Sequence, residues 1–147
     1  MILYLDTSAL LRLYVPEAGR EAVMQAAETA DVRCTHLIAY VELHAAVAKA
    51  ERLQRLDQEG ADAILTRFER DWAALLVIAA DEVLVRRAGR LARQHGLRGY
   101  DSVHLAAAER LAVTMPAEQV LLAAFDKDLV AAAGRLGIQV LGPSAHK

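Results

Sequence analysis

The 147-residue sequence is poor in several features, and each scarcity excludes a class of protein. Its single cysteine, Cys34, cannot form a disulfide within the chain, so a disulfide-stapled scaffold is excluded. The longest apolar run, Ala73–Ala80, is too short to cross a membrane. The N-terminus lacks a basic start, and Asp6 and Arg12 interrupt its apolar stretch, so it does not resemble a signal peptide. We therefore expect a cytoplasmic protein without a membrane partner.

The chain also lacks a strong charge of either sign. Seventeen Lys and Arg against nineteen Asp and Glu give a net charge of −2, which excludes histone-like binding of nucleic acid through bulk positive charge. An enzyme acting on nucleic acid remains compatible with this balance. Hydrophobic residues make up 55% of the chain, and its length suits one core, so we expect a single domain over residues 1–142 and a flexible tail over residues 143–147.

Several chemical motifs are missing as well. The sequence has no Gly-rich phosphate loop and no Gly-x-Ser-x-Gly, so nucleotide-binding and serine-hydrolase folds have no support. It has no His-Glu-x-x-His or Cys-x-x-Cys spacing, which argues against zinc. Cys34 is read as a small buried apolar side chain in preference to a nucleophile, because no catalytic pattern surrounds it.

Short apolar segments alternate with helical patterns along the chain, which is typical of a parallel sheet covered on both faces. Strands are expected at Ile2–Leu5, Val32–Thr35, Leu75–Ala79, Val120–Phe125 and Ile138–Leu141. Helices are expected at Thr7–Tyr14, Gly19–Ala30, His36–Leu53, Gln58–Trp72, Asp81–Gln94, Gly99–Val113 and Lys127–Leu136. The predicted class is a three-layer α/β/α fold with a central parallel sheet. The pattern leaves the strand order open.

Acidic residues fall where such a fold places its ligands. Asp6 and Asp126 follow predicted strands, Asp101 lies at the start of an apolar helix, and Glu42 lies in the second turn of another. Because ligands bind at the carboxyl ends of parallel strands, four carboxylates are expected to gather at one edge of the sheet. Oxygen ligands suit Mg²⁺ or Mn²⁺, and two such ions can clamp the oxygens of a phosphodiester during in-line displacement.

Helix capping is the alternative interpretation of three of these acids. Asp is a favoured N-cap, and Asp6, Asp101 and Asp126 each precede or open a predicted helix. Glu42 is too far into its helix to cap it, and its apolar neighbours predict that it needs a partner. The alternative is a Glu42 that faces solvent on an imperfectly amphipathic helix. His104 shares a helix face with Asp101, which allows a mixed carboxylate–imidazole site, although a hydrogen-bonded core histidine is favoured.

Four segments together resemble a known family. Tyr4–Leu10 is similar to the opening of PIN-domain proteins, in particular the VapC-type toxin ribonucleases of type II toxin–antitoxin systems. Val41–Leu43 matches their second acidic position, Leu97–Ala106 their third motif, and Phe125–Leu129 their fourth. The resemblance extends over the whole chain in the same order. It implies a PIN-like fold and a Mg²⁺- or Mn²⁺-dependent endoribonuclease that acts on RNA, pairs with a VapB-like antitoxin and forms a homodimer.

The resemblance also implies roles for individual residues. The acids that carry over as metal-binding and catalytic groups are Asp6, Glu42, Asp101 and Asp126. Thr7 or Ser8 would support the site by hydrogen bonding, with Ser8 the better match, and His104 would be structural. Independently of the resemblance, the position of Arg98 beside Gly99, Tyr100 and Asp101 makes it the candidate for binding substrate.

One position departs from the family pattern, and two other functions stay open. Ala124 stands where a hydroxyl residue is usual, so Asp128 is an alternative or additional fourth acid beside Asp126. The first rival is a non-catalytic PIN-like module that binds an antitoxin or RNA, with the acids docking an arginine. The second is a phosphotransfer domain with Asp6 as nucleophile, which is weakened because Ser8 replaces the second acid of Asp-x-Asp.

Overall fold

The computed structural model describes residues 1–143, so residues 144–147 of the expected tail lie outside the described residues. The strands in this range are β1 (Ile2–Leu5), β2 (Val32–His36), β3 (Leu76–Ile78), β4 (Val120–Ala123) and β5 (Gln139–Leu141). The helices are α1 (Thr7–Arg12), α2 (Arg20–Thr29), α3 (Ile38–Arg52), α4 (Gln58–Trp72), α5 (Glu82–His95), α6 (Gly99–Thr114) and α7 (Lys127–Arg135).

Every predicted strand and helix is therefore present, and the differences lie at the ends. His36 closes β2 and was wrongly expected to open the third long helix; its Nδ1 accepts a hydrogen bond from the Ile38 amide at 3.0 Å, just before that helix begins. β4 ends at Ala123, two residues earlier than predicted, so Asp126 does not directly follow it.

The five strands form one parallel sheet in the order β3-β2-β1-β4-β5. β1 is central, with Ile2 opposite Val32 of β2 on one side and Val120 of β4 on the other. After β1 the chain builds outward through β2 and β3, then returns to place β4 against the free side of β1. The order reverses between β1 and β4, and in open parallel sheets the ligand crevice lies outside the carboxyl ends of the strands at this point.

Both faces of the sheet are covered by helices, which confirms the predicted three-layer α/β/α fold. In β1, Ile2 and Tyr4 pack with side chains of α5, α6 and α7, whereas Leu3 and Leu5 pack with side chains of α1 to α4. All four are buried, as expected for a central strand whose side chains alternate between two faces.

Helix α6 is apolar around most of its circumference because it lies between the sheet and α5. Leu105, Ala107 and Leu111 are buried in the core shared with α5, α7 and the sheet. The helix begins at Gly99 after an extended Arg98, and its first turn therefore lies at the edge of this core. Asp101, in that first turn, is only partly buried.

Two expectations from composition can be compared with the fold. None of the helices between residues 1 and 143 is both long and apolar enough to span a membrane. Cys34 is buried in β2, its thiol is 3.5 Å from the carbonyl oxygen of Leu3, and burial raises its pKa to about 12. A thiol with that pKa is scarcely ionised at neutral pH, which supports the interpretation as a core side chain.

Candidate active site

Asp6 lies directly after the central strand and is almost completely buried, with 3% of its surface exposed. Its Oδ1 accepts hydrogen bonds from the Ala9 amide at 2.8 Å and the Ser8 hydroxyl at 2.7 Å. It therefore caps α1, as the capping interpretation predicted. Burial raises the pKa of Asp6, and the negative charge of Asp101 raises it further, against the opposing influence of His104. The fold thus keeps a carboxylate where its charged form is disfavoured.

Glu42 has hydrogen-bond partners, as its apolar neighbours in the sequence predicted. Its Oε1 accepts a hydrogen bond from the Thr7 hydroxyl at 2.8 Å and lies 2.8 Å from Nε2 of His104. Burial on its own would raise the pKa of Glu42, but the contacts with His104 and Thr7 and the charge of Arg98 outweigh it and lower that pKa. Glu42 is therefore held as a carboxylate in a half-buried position.

His104 connects Glu42 to the core. Its side chain is 1% exposed, and Nδ1 lies 2.7 Å from the hydroxyl of Tyr4, itself fully buried in β1. The expectation of a hydrogen-bonded core histidine is thus supported, but one of the partners is an acid of the candidate site. Sequence reasoning missed Tyr4, because its apolar strand offers no local sign of a polar contact one hundred residues away.

Asp101 does not cap its helix, which corrects that part of the capping interpretation. It is the third residue of α6, and the N-cap position belongs to Arg98. The Arg98 guanidinium donates from Nε to Asp101 Oδ2 at 2.9 Å and from Nη2 to Asp126 Oδ2 at 3.4 Å. The hydrogen bond and charge of Asp101, helped by Asp126 and Glu42, raise the pKa of Arg98. Arg98 thus bridges Asp101 and Asp126, and its pKa is also raised by the charge of Glu42.

Asp126 caps α7, again as the capping interpretation predicted. Its Oδ1 accepts the amides of Asp128 and Leu129, both at 3.0 Å. The Ser8 hydroxyl, which donates to Asp6, accepts the Phe125 amide at 3.2 Å and so links the segments that follow β1 and β4. Asp128 is exposed, and within residues 1–143 only its backbone amide joins this network. Its role as an alternative or additional fourth acid stays a prediction.

Each of the four acids uses its two oxygens unequally. Oδ1 of Asp6, Oε1 of Glu42, Oδ2 of Asp101 and Oδ1 of Asp126 are the oxygens engaged by close hydrogen bonds. Apart from the long contact of Asp126 with Arg98, the other oxygen of each acid accepts no hydrogen bond from the described part of the chain. An all-oxygen set in which three of the four carboxylates keep one oxygen without a hydrogen bond fits a hard divalent cation chemically.

The acids are not drawn together into a finished metal cluster. Over residues 1–143, no group of three or more His, Cys, Asp or Glu side chains is close enough to hold a metal ion as it stands. A pocket of about 360 Å³ opens beside two of them, Glu42 and Asp101, and its other lining residues are Arg98, Gly99 and Tyr100. The residues thus supply the ligands and an approach, with Arg98 as the cation already present.

The sequence was compared with protein families and with curated proteins. Residues 3–135 match the family model of the PIN domain. The chain is 36% identical over 144 residues to Ribonuclease VapC45 of Mycobacterium tuberculosis (strain CDC 1551 / Oshkosh), covering 95% of this chain and 94% of that one.

Solved structures share the fold at lower identity. A toxin–antitoxin complex from Klebsiella pneumoniae aligns with a TM-score of 0.62 and 18% identity, covering 95% of each chain. Mycobacterium tuberculosis VapC20, described as a sarcin–ricin loop cleaving toxin, aligns with a TM-score of 0.63 and 19% identity over 88% of this chain and 94% of that one.

Proposed function

Because the chain belongs to the PIN domain family, we propose that it is a metal-dependent endoribonuclease and the toxin of a toxin–antitoxin pair. The observation that carries the proposal is the set of four acids near the reversal point of the sheet. Each is anchored through one oxygen, and at Asp6, Glu42 and Asp101 the other oxygen accepts no hydrogen bond from the described residues. The name of the VapC45 relative supports ribonuclease activity, and the toxin–antitoxin neighbours support a VapB-like partner. We also propose a homodimer that acts on RNA in the cytoplasm.

In this proposal Asp6, Glu42 and Asp101 hold the principal Mg²⁺ or Mn²⁺, and Asp126 serves a second ion or the attacking water. Such an ion supplies Lewis-acid activation of water and stabilises the charge that develops on the leaving oxygen. The exposed Asp128 keeps a secondary place as an alternative to Asp126.

The chain's own residues orient the acids before anything binds. Ser8 and the first turn of α1 fix Asp6, while Thr7 and His104 fix Glu42. Since these side chains are already ordered, less conformational freedom is lost on binding. Arg98, whose side chain is 78% exposed, can leave its acids for a phosphate of the RNA, to which a guanidinium binds through paired hydrogen bonds.

A non-catalytic module is the second candidate, and one observation favours it. Arg98 already bridges Asp101 and Asp126, which shows that a guanidinium fits between these acids. An arginine from an antitoxin would neutralise the same carboxylates without any cleavage.

The deciding experiment is cleavage of a mixed RNA pool by purified, antitoxin-free protein with Mn²⁺ and then with EDTA. Wild type is compared with Glu42→Gln and with Glu51→Gln, a matched control at an exposed position of the same helix. We expect metal-dependent cutting that Glu42→Gln abolishes and Glu51→Gln retains. Calorimetry of Mn²⁺ binding accompanies the assay. Absence of both cutting and metal-dependent heat, with antitoxin binding retained, would establish the non-catalytic module instead.

A further inference from the structure

A series of two hydrogen bonds, the first of them buried, runs from the core to the acidic edge. Tyr4 of β1 contacts Nδ1 of His104 at 2.7 Å, and Nε2 of the same ring contacts Oε1 of Glu42 at 2.8 Å. Tyr4 and His104 are at most 1% exposed, so water does not compete for the contact between them, whereas the Glu42 side chain is 19% exposed. The three residues come from β1, α6 and α3, so the ring joins three elements at one point.

The chemistry of the groups sets the direction of each hydrogen bond. The Glu42 carboxylate can only accept, so Nε2 of His104 carries the proton and donates to it. In the neutral form of the ring, Nδ1 then carries no proton and accepts the hydroxyl proton of Tyr4. With this tautomer, assigned from the hydrogen-bond network, both ring nitrogens of His104 and the hydroxyl of Tyr4 have partners.

We propose that His104 is a positioning residue: it holds Oε1 of Glu42, with its ring fixed by Tyr4, and so leaves Oε2 available at the acidic edge. The inference rests on the proposed function, in which Glu42 is a metal ligand. Thr7 donates to the same oxygen at 2.8 Å, and the two donors together restrict a side chain that otherwise has three rotatable bonds. Hydrogen bonds that orient metal ligands in this way typically change metal affinity 10- to 100-fold when they are removed.

A structural role in the core is the competing explanation, and two amide substitutions separate it from positioning. In His104→Gln the amide nitrogen lies near the position of Nε2 and can still donate to Glu42. In His104→Asn the shorter side chain reaches only the region of Nδ1, so it can contact Tyr4 but not Glu42. Both variants remove the ring from the core and are neutral, so a purely structural role predicts similar behaviour.

The test is Mn²⁺ calorimetry on the full chain at pH 7.5, with thermal unfolding of each variant in EDTA. We expect His104→Gln to bind Mn²⁺ within about threefold of wild type and His104→Asn to bind about 10- to 100-fold more weakly, at comparable melting temperatures. Equal affinities in both variants, whether intact or reduced, would overturn the positioning role while leaving the metal site standing. Failure of the wild-type chain to bind Mn²⁺ would overturn the metal site itself and this inference with it.

A second measurement does not depend on metal or on the folding of a variant. Nitrogen NMR of the wild-type chain in EDTA reports which ring nitrogen of His104 is protonated. We expect the tautomer with the proton on Nε2. A proton on Nδ1 alone would leave no donor for Glu42 and would overturn the inference.

Discussion

Replacing the buried acid Asp6 with asparagine should stabilise the metal-free protein at pH 8. Burial raises the pKa of Asp6, so between its ordinary value and the raised value the folded state binds a proton that the unfolded chain has released. Stability therefore falls as the pH rises through this window, and the loss persists above it. Asparagine resembles the neutral acid and has no proton to lose. We expect Asp6→Asn to melt at a higher temperature than wild type in EDTA, with a flatter dependence on pH.

Asp6 affects stability both through its charge and through its hydrogen bond as the N-cap of α1. The variant Asp6→Ala separates the two effects. Asparagine can still accept from the Ala9 amide, whereas alanine leaves that amide without its acceptor. Losing an N-cap costs about 0.5–2 kcal/mol. For a chain of this size each kcal/mol lowers the melting temperature by roughly 2–4 °C. Asp6→Ala should therefore melt a few degrees below Asp6→Asn.

With Mn²⁺ bound, we expect the wild-type protein to melt at a higher temperature than Asp6→Asn, the reverse of the order in EDTA. At Mn²⁺ concentrations about 100 times the dissociation constant, the wild-type protein gains roughly 2.7 kcal/mol, or about 5–10 °C, while Asp6→Asn gains little. Differential scanning fluorimetry from pH 5 to 9 measures all of these shifts. Asp57→Asn is the matched control, because Asp57 caps α4 in the same way but is exposed. A lower melting temperature for Asp6→Asn than for wild type in EDTA at pH 8 would refute the reasoning.

Three further outcomes can be measured by unfolding or labelling. Gly19→Ala should cost about 2–5 kcal/mol in urea unfolding, because φ is +88° and the added Cβ would lie 2.7 Å from Cζ of Phe125; a loss below 1 kcal/mol would contradict this. Phe68→Ala should cost about 3–5 kcal/mol by the same measurement, since the ring is wholly buried among other aromatic side chains; an unchanged midpoint would show that the cavity refills. Cys34 should react with a thiol reagent at pH 8 only in denaturant, since burial raises its pKa to about 12; rapid labelling of the native protein would show the strand to be open.

The layers of the fold were predictable because each strand is short, apolar and followed by a helical pattern. The strand order could not be predicted, because it depends on which side of β1 each later strand joins. The apolar strand segments resemble one another too closely to indicate that side. The end of β2 was misplaced for a related reason. His36 is polar and precedes a helical pattern, but its imidazole accepts the Ile38 amide from the last position of the strand.

The contacts of His104 show where local spacing stops being informative. Its spacing of three residues from Asp101 predicts that both lie on the same face of α6. That spacing cannot predict the contacts of His104 with Tyr4 and Glu42. Those partners lie on β1 and on α3, and α3 covers the opposite face of the sheet from α6. The demand of Glu42 for a partner could be predicted from its apolar neighbours, whereas the identity of the partner required the tertiary structure.

Capping and ligand binding, weighed at the outset as competing explanations of Asp6 and Asp126, are compatible because a carboxylate has two oxygens. In both residues Oδ1 accepts amides of the first helical turn. The cap orients the carboxylate, and the positive end of the helix dipole favours its charged form against burial and against the neighbouring acids. Oδ2 of Asp6 is left for another partner, whereas Oδ2 of Asp126 already has a long contact, 3.4 Å, with the Arg98 guanidinium. The start of α1 therefore retains a buried acid that has no salt-bridge partner among the described residues, and an added cation would find its carboxylate already oriented.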